Sequence, residues 1–313
     1  MADASIDRDA IRAAYGRVAG YVRRTPVLAL PSGALTDAPL ALKLEHTQVT
    51  GSFKVRGAFN NLLSRPVPKV GIAATSGGNH GAAVAYAATQ LGVPSTVFLP
   101  AILATDVKIA RMRGFGAEVV TVDGTVSDVI DTYERHAAQT GKMAIHPFDT
   151  VETLAGQGTV GLEIEEDLPD LDTLFVSVGG GGLIGGIAAW FAGRVKVVAV
   201  ETEGTASFDH AMRGGTGNIE VSGIAASGLG APFIGPLTLA MAGGAIAENV
   251  VVTDADVVAA GRQLWDTTRL VVEPGAAVAL AALTSGAYRP AQGERVGVLL
   301  CGGNADPDWF LGG

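Results

Sequence analysis

An α/β fold with two doubly wound, open parallel sheets is what this 313-residue chain predicts, and three observations predict it. Short β-branched runs alternate with longer stretches of helical periodicity over most of the length. Glycine-rich loops follow three of those runs, at the carboxyl ends of strands, where open parallel sheets bind ligands. Prolines in Pro66-Val67-Pro68 and His146-Pro147 interrupt the pattern, and they bracket a smaller lobe, residues 67–146, inserted into a larger one made of 1–66 and 147–313.

The elements follow in order. Gly51-Ser52-Phe53-Lys54 is a glycine turn that enters a helix, because Val55, Phe59, Leu62 and Leu63 then recur at helical spacing. Strands are predicted at 70–74, 95–99 and 118–122 in the smaller lobe and at 173–178, 195–201 and 295–301 in the larger one. Helices are predicted between them at 80–91, 105–113, 126–140, 152–166, 183–193, 254–268 and 276–285. The stretch 202–236 is rich in glycine, serine and alanine without a long periodic run, which predicts loop and short helix lining a site. Residues 174–193 carry no charge and could span a bilayer by length. Four consecutive glycines there would each cost about 1 kcal/mol in a helix interior, so strand, tight loop and short buried helix is the better parse.

Composition narrows the function. With 48% hydrophobic and 17% charged residues, the chain is a compact enzyme rather than a disordered one. A formal net charge of −9, without any cluster of lysine and arginine, argues against nucleic acid and anionic membrane as partners, which leaves small molecules. The sole cysteine, Cys301, cannot form an intramolecular disulfide, so a reducing, cytoplasmic home is expected. Asp3, Asp7, Arg8 and Asp9 precede any apolar stretch, unlike a signal peptide.

Lys54 is the candidate for chemistry. A lysine amine becomes a nucleophile, or holds a carbonyl cofactor as a Schiff base, when burial and a helix amino terminus lower its pKa. The first glycine loop, Thr75-Ser76-Gly77-Gly78-Asn79-His80-Gly81, offers amides, a hydroxyl and a side-chain amide at a helix amino terminus, which suits a carboxylate. The second, Gly179-Gly180-Gly181-Gly182-Leu183-Ile184-Gly185-Gly186, lets backbone amides close around a phosphate. Gly180, Gly182 and Gly185 also satisfy the GxGxxG dinucleotide fingerprint, and Glu201 stands about where a ribose-binding acid would. An NAD-dependent oxidoreductase is therefore the rival from a different class, although it leaves Lys54 and the 76–80 loop without work. A silent ligand-binding protein is another. The third loop is Cys301-Gly302-Gly303-Asn304.

Taken in order, the stretch around Lys54, the Ser76 to Gly81 loop, the tetraglycine loop and the Cys301 loop resemble the fold-type II pyridoxal-phosphate enzymes. Within them, the likeness is to the serine and threonine dehydratase (threonine ammonia-lyase) and serine racemase group. Similar strings occur at His146-Pro147-Phe148-Asp149, Gly156-Gln157-Gly158-Thr159 and Val272-Glu273-Pro274, so the likeness spans nearly the whole chain. It implies a tryptophan synthase beta-like fold with pyridoxal 5'-phosphate in the cleft between the lobes, a small amino-acid substrate and a homodimer.

Residue by residue, the resemblance implies that Lys54 holds the cofactor as an imine and then serves as the base for the α-proton. Phe53 would pack on the ring, Asn79 would hydrogen-bond its 3'-oxygen, and the amides of Gly179, Gly180, Gly181, Gly182 and Leu183 would cradle the phosphate. Glu273 would lie near the ring and Cys301 at its nitrogen, where a neutral thiol favours expelling a β-substituent. Ser76, Gly77, Asn79 and His80 would form the substrate-carboxylate loop. The expected activity is loss of water and ammonia from L-serine or L-threonine, giving a 2-oxo acid. Racemases of the group carry a serine where this chain has Gly77; a water or His80 could substitute, so an amino-acid racemase stays open, as does a 3-hydroxyaspartate dehydratase using a cation such as Arg111 or Arg113. Some members bind a divalent cation through a glutamate that matches Glu201, but Ser207 stands where their aspartate is expected. The chain stops at Gly313, so the regulatory domain of the biosynthetic enzymes, with its feedback by isoleucine, is not expected.

Overall fold

The computed structural model of the chain describes residues 6–76, 78–124, 126–241 and 244–312. Its strands are β1 (Val27–Leu30), β2 (Leu40–Lys43), β3 (Ile72–Thr75), β4 (Ser95–Pro100), β5 (Glu118–Val122), β6 (Met143–Ile145), β7 (Thr173–Ser177), β8 (Lys196–Thr202), β9 (Ile246–Val252) and β10 (Val296–Leu299). They form two sheets among the described residues, in the orders β1-β2-β10-β7-β8-β9 and β5-β4-β3-β6. The smaller sheet is wholly parallel, with Ala74 opposite Val97 and Ile145. The larger is parallel except at its edge, where β1 runs antiparallel to β2 because the 31–39 connection is too short for a crossover. Helices cover both faces, and every residue of β4, β7 and β10 is buried, as doubly wound sheets require.

The strands predicted from β-branched runs are all present, within a few residues of their predicted ends. Four more, β1, β2, β6 and β9, have weak sequence signals. β6 is three residues long, and β9 reads Ile-Ala-Glu-Asn-Val-Val-Val, with Ala247 and Glu248 exposed and Asn249 half-buried. In β2, Lys43 breaks the apolar run yet is 1% exposed, because its Nζ meets Glu163, Asp167 and the Thr25 carbonyl at 2.8–2.9 Å.

That lysine belongs to a buried ion network beneath the helix Lys54–Leu63. Arg56, fully buried, donates to both oxygens of Glu45 at 2.7 and 2.9 Å and to both oxygens of Glu163 at 2.8 and 2.9 Å. Thr25 Oγ1 also donates to Glu45. Burial opposes ionisation of Glu45, yet Arg56, Thr25 and Lys43 outweigh it and hold the carboxyl below its ordinary range.

Two glycines set how closely this helix meets the helix Val151–Asp167. A β-carbon on Gly156 would fall 2.6 Å from Gly57 Cα and 2.8 Å from the Arg56 carbonyl, both backbone atoms that cannot yield. Gly156→Ala is therefore expected to cost about 1–3 kcal/mol by overpacking, measured as a lower denaturant midpoint at unchanged m-value.

Candidate active site

Lys54 and Cys301 meet because the segment before Lys54 runs beside the end of β10. Phe53 N–H donates to the Cys301 carbonyl at 3.1 Å, Gly303 N–H donates to Gly51 at 2.9 Å, and Ser52 bridges to Gly302. The turn needs Gly51, whose φ of +71° lies in the left-handed region. Gly302 is needed for space, since a β-carbon there would lie 2.2 Å from Glu273 Oε1.

From the other sheet, β3 delivers the 76–80 loop to the same cleft. Asn79 Nδ2 donates to the two Glu273 oxygens at 2.8 and 2.9 Å, and its Oδ1 accepts from Asn304 at 2.5 Å, so the amide joins the two sheets. Ser76 Oγ accepts from Gly78 N–H at 3.1 Å, which shapes the loop. Lys54, Phe53, Ser76, Asn79, His80, Glu273 and Cys301 all line one cleft with the tetraglycine turn.

That turn follows β7. Gly181, at φ +91°, starts the helix Gly182–Phe191, and β-carbons on Gly180 and Gly182 would fall 2.4 Å from the Phe148 ring and 2.6 Å from its carbonyl. The Gly179 and Gly180 carbonyls accept from Ser207 Oγ and Gly235 N–H, at 3.2 and 3.1 Å. The first helical amides have no intrahelical acceptor and line the cleft, an anion cradle by construction.

The charges complement it. Burial lowers the Lys54 amine to about 8, against opposing pulls from Cys301 and Glu273, while its Nζ donates to the Pro147 carbonyl at 2.8 Å. Burial, reinforced by Glu273, pushes the Cys301 thiol well above its ordinary range, so it stays neutral. Burial also raises Glu273, against Asn79 and other donors. His80 is held down to about 3 by burial, with Lys54 adding to it, and its Nε2 lies 3.3 Å from the Ile145 carbonyl.

An amine ready to form an imine, an anion cradle and a neutral thiol suit a phosphorylated aldehyde. The sequence profile of the pyridoxal-phosphate dependent enzymes matches residues 18–302. The chain belongs to that family. It is 35% identical to the L-threonine ammonia-lyase of Thermotoga maritima, over 87% of this chain and 69% of that one. It is 33% identical to the serine racemase of Oryza sativa subsp. indica, over 96% and 91%. The structure of maize serine racemase superposes with a TM-score of 0.91 at 32% identity, covering 96% of this chain and 94% of that one. The likeness to fold-type II enzymes read from the motifs is thus borne out, as is the cofactor, pyridoxal 5'-phosphate.

For a pyridoxal-phosphate enzyme, three residues named from sequence stand differently. Gly77 lies outside the described residues. The His80 imidazole donates to Ile145, so toward the cleft this residue has its amide and a weakly basic Nδ1 to offer. Glu201 does not line the cleft: its oxygens accept from the Phe208 and Asp209 amides at 2.7 and 2.8 Å and from Asn249 at 3.3 Å, and burial raises it to about 7. It caps the helix Ser207–Met212 instead of meeting a ribose or a cation. Among the described residues no group of three or more His, Cys, Asp or Glu could hold a metal. Arg111 donates to the Thr50 carbonyl at 2.5 Å and, like Arg113, does not line the cleft, whereas Lys108 does.

Two parts of the family's cleft were not singled out from sequence. The segment 226–233, within the stretch expected to line something, forms one wall of the cleft: Leu229 packs on Gly179, and a β-carbon on Gly78 would reach the Ser227 carbonyl at 3.6 Å. His146, Pro147 and Phe148 form a second wall, whose only signal was the His-Pro-Phe-Asp string. No helix among the described residues is long and apolar enough to cross a membrane.

Proposed function

We propose that the protein is a pyridoxal-phosphate ammonia-lyase that removes water and then ammonia from a small β-hydroxy amino acid, L-serine or L-threonine, leaving a 2-oxo acid. Carrying this reading is Lys54 Nζ, lowered by burial to about 8 in a cleft shared with the carboxylate loop and the anion cradle. Bound in the cleft, pyridoxal phosphate supplies the electron sink that loosens the α-hydrogen of an amino acid.

The chain's own groups then divide the work. The amides of Gly179, Gly180, Gly181, Gly182 and Leu183 hold the phosphate, Phe53 and Asn79 orient the ring, and Glu273 fixes Asn79. Ser76, Gly77, Asn79 and the His80 amide hold the substrate carboxylate, and Lys54 takes the α-proton. Cys301, buried and neutral, gives the ring nitrogen no counter-charge, which favours expelling the β-hydroxyl over storing charge. Racemisation needs a second proton carrier on the opposite face. Gly77 has no side chain, and an imidazole held down to about 3 is a poor base near neutrality, so elimination is favoured.

Residues 67–146 act in this reading as the substrate-loop lobe, and 1–66 with 147–313 as the cofactor lobe, in a cytoplasmic homodimer. A screen of hydroxy amino acids tests it. The yellow holoenzyme is expected to release equal amounts of 2-oxo acid and ammonia from L-serine or L-threonine, with chiral analysis showing the remaining substrate still L. Inversion without ammonia release would make it a racemase.

A further inference from the structure

His146 stands at the end of β6, one residue before the carbonyl that holds Lys54, and lines the cleft. Its Nδ1 accepts the amide hydrogens of Asp149 at 2.9 Å and Phe148 at 3.3 Å, which places the proton of the neutral ring on Nε2. Burial lowers its pKa, with Asp149 opposing and Lys54 assisting, so the ring is neutral at pH 7. The Phe148 ring meets it edge-on at a centroid distance of 4.7 Å and fixes its plane. No acceptor for Nε2–H exists among the described residues, whereas the neighbouring His80 ring has one in Ile145. A fixed donor beside the catalytic amine, with nothing in the protein to receive it, is placed to meet substrate.

We propose that His146 is a further catalytic residue, donating its Nε2 hydrogen bond to the departing β-oxygen of the substrate; the assignment rests on the lyase reading above. Lys54 removes the α-proton, the C–H electron pair becomes the Cα–Cβ double bond, and the Cβ–O bond breaks. The oxygen leaves as water, with the proton that Lys54 has just taken. His146 keeps its own proton and stabilises the charge that builds on oxygen as the bond lengthens.

Leaving-group dependence tests this on the holoenzyme. Chloride leaves without a proton or a donor, so L-serine and β-chloro-L-alanine separate help to the leaving group from everything else. His146→Asn keeps an acceptor near Nδ1 for the two amides and leaves no donor at the Nε2 position. Its kcat on L-serine is expected to fall about 100-fold, and on β-chloro-L-alanine less than about threefold. His146→Gln, which carries an N–H near the Nε2 position, is expected to recover part of the L-serine rate, and both variants to keep the visible absorbance of bound cofactor. A merely structural role, through Nδ1, gives the opposite order, with Gln worse than Asn. That order, or equal losses on both substrates, overturns the assignment while leaving the lyase reading intact. Wild-type protein that eliminates from neither substrate overturns both.

Discussion

Lys54→Ala is expected to abolish turnover of every hydroxy amino acid, by on the order of 10⁴-fold or more, because no other described amine in the cleft adjoins Cys301 and the glycine cradle. The variant should also lose the colour of an imine-bound cofactor while still retaining the phosphate group, visible as weaker but saturable quenching of protein fluorescence by added pyridoxal phosphate. A coloured, active Lys54→Ala protein would remove the basis of the proposed function. Stability should move the other way. In cofactor-free protein the folded amine titrates near 8 rather than at its ordinary 10.5, so between those values the unfolded chain binds more protons. Stability therefore rises with pH across that window, and below it the buried ammonium costs roughly 3 kcal/mol. Lys54→Met, which keeps the apolar stem, should raise the unfolding free energy at pH 7 by roughly 1–3 kcal/mol and flatten its slope with pH between 8 and 10.5.

Arg56→Met should be the most damaging change outside the cleft. It leaves Glu45 and Glu163, both within 1% of full burial, without the guanidinium that neutralises them. Removing one partner of such a buried network costs about 3–5 kcal/mol, and a loss of that size lowers Tm by on the order of 10 °C. Replacing the two carboxylates together with the arginine, as Glu45→Gln and Glu163→Gln, should recover much of the loss, since unpaired charge and not volume is the cause. The network also sets an acid limit. Glu45 has a folded pKa below its unfolded one, so its contribution is complete above about pH 4.5 and is lost as pH falls through the folded value. Thermal scans from pH 7 to 3 should show wild-type stability falling in that acid range, with a shallower fall in the triple variant.

How far the sequence carried can be judged from particular residues. Lys54, the 76–80 loop, the tetraglycine turn and Cys301-Gly302 were legible because each depends on local backbone: a turn, a strand end, a helix amino terminus. Glycine marks such places, since Gly51 and Gly181 need positive φ and Gly180, Gly182 and Gly302 leave no room for a β-carbon. Lys43, Glu45, Arg56 and Glu163 were not legible as core. A charged side chain reads as solvated unless its partners are known, and theirs lie on separate strands and helices. Glu201 shows the converse, since a carboxylate at a strand end reads equally as a ribose ligand, a cation ligand or a cap, and the amides of Phe208 and Asp209 make it the cap.

Local spacing and glycine placement were enough to predict two parallel sheets, three ligand loops at strand ends and one lysine for the chemistry, because those features arise over a few residues of contiguous chain. Which groups face that lysine was a matter of packing. The tautomer of His146, the turning of His80 toward Ile145, the wall formed by residues 226–233 and the neutrality of Cys301 all depend on segments brought together from distant parts of the chain. Burial and hydrogen-bond partners exist only once those segments have met, and they control charge and proton position in the cleft.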